Sequence, residues 1–176
     1  FDRLIADPKA AERELALQQK ALILGQKKEY PAMIAAFEEL LKEYPKSSAA
    51  GQANFWIGWA AFENKDYQGA LASLGKAREL DPDQYTERAT LRIVLAQYYL
   101  QDREALVATI TKYPQVNVPT EITRWLGRQS FDEGDYAAAE KFLLPVAKDP
   151  KTSDPETLIA LAEAQIRLGK NAAAAP

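Results

Sequence analysis

The chain has 176 residues, 47% of them apolar and 27% charged, with 22 Lys and Arg against 25 Asp and Glu for a net charge of −3. That balance leaves no electrostatic footprint for nucleic acid or an anionic membrane, so the expected partners are proteins or small ligands. The absence of both His and Cys excludes His-based acid–base chemistry, thiol nucleophiles, disulfides and the common transition-metal sites, and neither catalysis nor a cofactor is expected.

Carboxylate-only chemistry would need two acids facing one another, and the acids here are spread over helix faces with no candidate pair. No stretch reaches the ~20 apolar residues of a membrane span, so the domain is not expected to cross a bilayer. The chain begins at Phe1 and ends in Ala175-Pro176, and it reads as a segment of a longer protein.

The apolar spacing is helical from the start. A first unit, 9–46, carries Ala21, then the polar break Lys28-Glu29-Tyr30, then Met33, Ile34, Phe37 and Leu41 before Pro45. The second unit, 47–83, places Asn54, Ile57, Gly58 and Ala61 on one stripe, breaks at Lys65-Asp66-Tyr67, and continues with Ala70, Leu71, Leu74 and Ala77 up to Pro82. Small residues at Gly58 and Ala70 predict a close approach of the two helices, since axes come within ~8–10 Å only where little lies between them.

The third unit, 84–115, is expected to use Leu95-Ala96, Tyr99 and Ala105, with a short second helix ending near Tyr113. Residues 116–119, which include Pro119, read as a connection and not a strand. The fourth unit, 119–151, repeats the pattern with Leu126-Gly127, the break Gly134-Asp135-Tyr136, then Ala139 and Leu143, and Pro145 is expected to kink its second helix. A fifth, 154–176, opens on the cap Asp154-Pro155 and shows Leu158, Leu161-Ala162 and Gly169, with its second helix incomplete.

Two rulers run through this arrangement. The break tyrosines lie 37 and 69 residues apart, and Pro45, Pro82, Pro114 and Pro150 lie 37, 32 and 36 apart. The signature W-x2-L-G-x2-Y, A-x3-F, P of the tetratricopeptide repeat family resembles Ile57-Gly58, Ala70, Leu74 and Pro82, and again Leu126-Gly127, Ala139, Leu143 and Pro150, although the Trp and Tyr positions are mostly replaced. The resemblance implies an all-α fold: a right-handed superhelical stack of antiparallel helix hairpins, a single solenoid domain over 1–176 with about four units and the first helix of a fifth. The endings Lys42-Glu43-Tyr44-Pro45-Lys46-Ser47 and Lys112-Tyr113-Pro114 are similar to those of bacterial cell-envelope members, the Tol-Pal coordinator and outer-membrane assembly lipoprotein families, which implies a periplasmic or envelope setting.

In such repeats the first helices line a concave wall, which implies a protein or peptide guest. Phe55, Trp59 and Phe62 share a face of the second unit's first helix, and a shift of 69 residues carries them onto Arg124, Arg128 and Phe131. These six are the candidate groove: an aromatic shelf, and an arginine pair able to hold a carboxylate of a partner with apolar and acidic groups. The competing reading packs Trp56, Trp59 and Phe62 against adjacent first helices and pairs Arg128 with Asp132. Members that grip acidic chaperone tails resemble one another in a Lys, Asn and Arg constellation, where this sequence has Gln18 and Leu22, so that ligand is disfavoured. The expected function is an interaction scaffold or adaptor. The alternative is a structural module of a larger envelope protein that self-associates through its terminal helices, exposing an apolar face near Leu158, Leu161 and Ile166.

Overall fold

A computed structural model describes Ile5 and residues 12–170. Residues 9–11 of the first expected unit and 171–176 of the fifth lie outside the described residues. Nine helices are described: α1 (Arg13–Gln26), α2 (Tyr30–Glu43), α3 (Ala50–Glu63), α4 (Tyr67–Leu80), α5 (Pro82–Tyr99), α6 (Arg103–Lys112), α7 (Thr120–Asp132), α8 (Tyr136–Lys148) and α9 (Pro155–Arg167). No strand occurs among the described residues. The all-α arrangement of antiparallel hairpins is therefore the observed fold.

Each first helix ends in the same way. Lys28, Lys65, Gln101, Gly134 and Gly169 all take positive φ, between 56° and 78°. The amide of the residue that follows each one donates to the carbonyl five residues back: Glu29 to Leu24, Asp66 to Ala61, Asp102 to Gln97, Asp135 to Ser130 and Lys170 to Gln165, at 2.8–2.9 Å. This is a Schellman turn, which satisfies the last carbonyls of one helix while reversing the chain. At three of the turns the next residue also caps the second helix through its side chain: Asp66, Asp102 and Asp135 each accept the amide three residues on, at 2.9–3.1 Å. The five turns form a ruler with steps of 37, 36, 33 and 35 residues, and the third unit keeps it although its tyrosine is missing.

Counting from these turns sets the packing register. Eight residues before the turn residue that follows the positive-φ position stand Ala21, Gly58, Val94 and Gly127; four after it stand Met33, Ala70, Leu106 and Ala139; eight after it stand Phe37, Leu74, Ile110 and Leu143. In the second and fourth hairpins a glycine meets a leucine. A Cβ on Gly58 would lie 2.7 Å from Leu74 Cγ and 2.9 Å from its backbone N, and one on Gly127 would lie 2.5 Å from Leu143 Cγ. The helices touch there, and no larger residue fits without moving them. The third hairpin differs from expectation in register: counted from its turn, the matching positions are Val94 and Leu106, both fully buried, one or two residues away from the expected Ala96, which is itself fully buried, and Ala105, which is half-buried. Its second helix has 10 residues and buries only Leu106.

Each helix packs on its sequence neighbour up to α6, and again from α7 to α9, with first helices also meeting in α3 against α5 and α7 against α9. The chain divides into two compact units, 1–116 and 117–176. In the first, Arg13 of α1 is buried and its guanidinium lies 2.7 Å from both Glu39 and Glu43 of α2. That contact holds the Glu43 carboxyl below the usual carboxylate range. Prolines sit where helices stop or start: Pro45 and Pro114 follow α2 and α6, and Pro82 opens α5 as its first residue with Asp81 as cap. Pro145 lies inside α8, exposed, and the helix runs on to Lys148.

Candidate functional site

The six sequence-derived residues fall into both units. Phe55, Trp59 and Phe62 belong to the first, and Arg124, Arg128 and Phe131 to the second, so within neither unit do the six form one lining. Nor do the three candidate aromatics of α3 act together. Phe55 is 2% exposed and stacks on Tyr85 of α5 at 5.0 Å, with the Arg88 guanidinium 4.6 Å from its ring; it is a core residue and not a groove residue. Phe62 meets Tyr67 edge-on at 5.6 Å, across the turn that joins α3 to α4. Phe131 meets Tyr136 in the same way at 5.7 Å in the fourth hairpin. These two pairs brace turns. A face that spans 100° or more on a helix is shared among different neighbours, and residues three and four apart can diverge to either side.

Of these three candidates, Trp59 alone turns toward the preceding hairpin, where Trp56 of the same helix also packs. Half-buried, Trp59 lies 4.9 Å from Tyr30 of α2 and 5.7 Å from Trp56. It walls an open groove of about 700 Å³ between α2, α3 and the start of α4. Ile34, Ile57 and Ala61 supply apolar surface there, and Glu38, Glu63 and Asp66 supply the charge. None of the lining residues is Lys or Arg. Two of the three walls are second helices, where sequence reasoning expected first helices alone. Tyr30 was visible as a turn marker, but nothing in its spacing tied it to Trp59.

The arginine pair of α7 has a different setting. Arg124 donates to the carbonyl of Thr152 at 2.5 Å and lies 3.0 Å from the Asp154 carboxylate. Arg128 lies 3.4 Å from Asp154 and 2.6 Å from Glu156. The paired acid is therefore not Asp132 of the same helix but the start of α9. Asp154 also caps α9, accepting from the Thr157 amide at 2.8 Å and its hydroxyl at 2.7 Å. Its carboxyl is held below the ordinary value of 3.8, chiefly by the Thr157 hydroxyl and amide and then by the two guanidiniums. An open depression of about 790 Å³ runs beside these groups. The carboxylates that the sequence assigned to a partner are supplied by this chain.

The architecture is a tetratricopeptide-like array of helical hairpins. The tetratricopeptide repeat family matches residues 51–84, which hold α3 and α4. The crystal structure of MamA protein is similar over 93% of this chain and 86% of that one, with 16% identity and a TM-score of 0.59. A tetratricopeptide repeat protein from Parabacteroides merdae is similar over 98% of this chain and 66% of that one, with 15% identity and a TM-score of 0.55. At such identities the likeness is one of fold. No curated protein matches in sequence. No helix among the described residues is long and apolar enough to cross a membrane.

Proposed function

We propose that the chain is a protein–protein interaction scaffold, holding a peptide or a segment of a partner domain, without catalysis of its own. The observation that supports this is the open groove at Trp59: an aromatic wall beside apolar floor residues, fixed between three helices that are themselves pinned by Schellman turns and a tight Gly58–Leu74 contact. A rigid aromatic anchor loses little side-chain entropy on binding and supplies much of the contact energy in such surfaces. Replacing Trp59 with Ala should abolish partner capture by the full chain while leaving its helicity unchanged. Undiminished capture at unchanged helicity would remove the groove from the proposal.

A second reading rests on α9. Leu158, Ile159 and Ile166 are 48%, 59% and 54% exposed on it, large apolar side chains on one helix of the kind that mark a contact surface when they adjoin. This supports self-association through the terminal helix as an alternative role. Light scattering of the chain against its Ile159→Glu, Ile166→Glu variant decides it: equal masses at monomer size would end that reading. A bacterial envelope setting belongs to the proposal on the strength of the endings Lys42-Glu43-Tyr44-Pro45 and Lys112-Tyr113-Pro114 alone, and fractionation of the parent cells tests it, cytoplasmic recovery being the refuting result.

A further inference from the structure

The charge around the Trp59 groove says what kind of segment fits it. Building on the scaffold reading above, we infer that the groove takes a cationic, apolar segment, one in which Lys or Arg side chains alternate with apolar ones, and not the acidic guest that the arginine pair of α7 suggested. The carboxylates come from three elements: Glu38 on α2, Glu63 at the end of α3, and Asp66 at the cap of α4. Asp66 spends one oxygen on the Gly69 amide, and its other oxygen has no such duty. Glu63 stands in the field of Arg92 on α5, whereas Glu38 has no cation among the groove residues. Lys65 sits between Asn64 and Asp66 in the chain, but it is exposed in the turn and does not line the groove.

Aromatics favour the same sign. A guanidinium or ammonium laid over an indole face is attracted by the ring quadrupole, and a carboxylate at the same rim adds a charge-assisted hydrogen bond. Trp59, Tyr30 and the three acids offer both within one opening. An acidic guest would meet three carboxylates and no Lys or Arg among the lining residues, with Arg92 near Glu63 alone, which works against its entry.

The test uses the full chain and two synthetic peptides of equal length, one alternating Lys with Leu and one alternating Glu with Leu, with binding read by calorimetry at two salt concentrations. The Lys peptide should bind and the Glu peptide should not. Glu38→Gln with Glu63→Gln should weaken the Lys peptide by about fivefold, the effect of two rim ion pairs of ordinary strength, with most of that difference lost in high salt. The exposed pair Glu79→Gln with Glu87→Gln, which changes the net charge equally away from the groove, should leave binding as it was. Equal weakening by both pairs would reduce the effect to net charge and overturn the inference, as would a Glu peptide that binds as tightly as the Lys peptide. If Trp59→Ala weakens both peptides alike, the groove binds but its sign preference is wrong. If Trp59→Ala weakens neither, the groove reading itself fails.

Discussion

The second and third hairpins follow one chain plan and pack differently. Both turn through a positive-φ residue and an aspartate cap, yet the second closes on Gly58 against Leu74 and the third on Val94 and Leu106. In the second, the helices touch, and Leu74 and Ala77 are fully buried. In the third, the equivalents Ile110 and Tyr113 are only half-buried. Arg78 of α4, bonded to Thr90 at 3.1 Å, lies 4.4 Å from the Tyr113 ring and covers it. The compact unit ends soon after, at Val116. Turn chemistry alone thus makes a hairpin, and only the small residue inside it makes the hairpin tight.

That contrast can be broken most forcefully at the leucine. Leu74→Ala should lower stability by about 3 kcal/mol, because it empties a fully buried site, while Ile110→Ala should cost about half as much or less; urea unfolding of the full chain followed by circular dichroism reads both. Equal losses would mean that the third hairpin is packed as tightly as the second. Gly58→Ala comes next, at about 1–2 kcal/mol: the helix gains from alanine, but the new methyl meets the Leu74 backbone, which cannot swing aside as a side chain can. A neutral result would show that α3 and α4 can slide.

Smaller effects probe what the two hairpins share. Lys65→Gly and Gln101→Gly should each raise the thermal midpoint by a few degrees, equivalent to about 0.5–1 kcal/mol, because a residue with a Cβ is strained at positive φ and glycine is not. Loss of stability in either would deny the turn its left-handed geometry. The mildest lever is pH. Glu43, Glu140 and Asp154 are held below the usual carboxylate range, Glu43 first by its hydrogen bonds from Arg13, Glu140 first by Lys170, Asp154 first by Thr157. Groups depressed in the folded state add stability that is complete above the ordinary values of 4.5 and 3.8 and disappears as pH falls through the folded ones. The melting temperature should therefore be flat from pH 7 to 5 and drop below about 4, with the drop smaller in Arg13→Met. A midpoint that stays level down to pH 3 would contradict those pairings.

Much of this was legible without coordinates. Gly58, Ala70 and Leu74, and their counterparts Gly127, Ala139 and Leu143, announce close helix pairs because volume at a contact is a property of residue type. Lys65-Asp66-Tyr67 and Gly134-Asp135-Tyr136 mark the turns, and Asp154-Pro155 marks a helix start, because capping is local. The third unit was misaligned by one or two residues, since its Ala96 and Ala105 imitate the small pair while the actual register depends on Gln101-Asp102, a turn without the expected tyrosine. The candidate site suffered more. Phe55, Trp59 and Phe62 share a stripe on paper and part company in space.

The amino-acid order by itself therefore determined helices, turns, hairpins and their repeat, all of which follow from backbone preference and side-chain size within a few dozen residues. Which way an aromatic on a first helix leans, toward Tyr85, Tyr67 or Tyr30, was decided only by tertiary structure, because each choice depends on a ring supplied by another helix. The same holds for Arg124 and Arg128: their charge is written in the chain, but that Asp154 and Glu156 neutralise it depends on where the loop after α8 returns. A groove with acidic rims on α2, α3 and α4 exists only once those three helices meet.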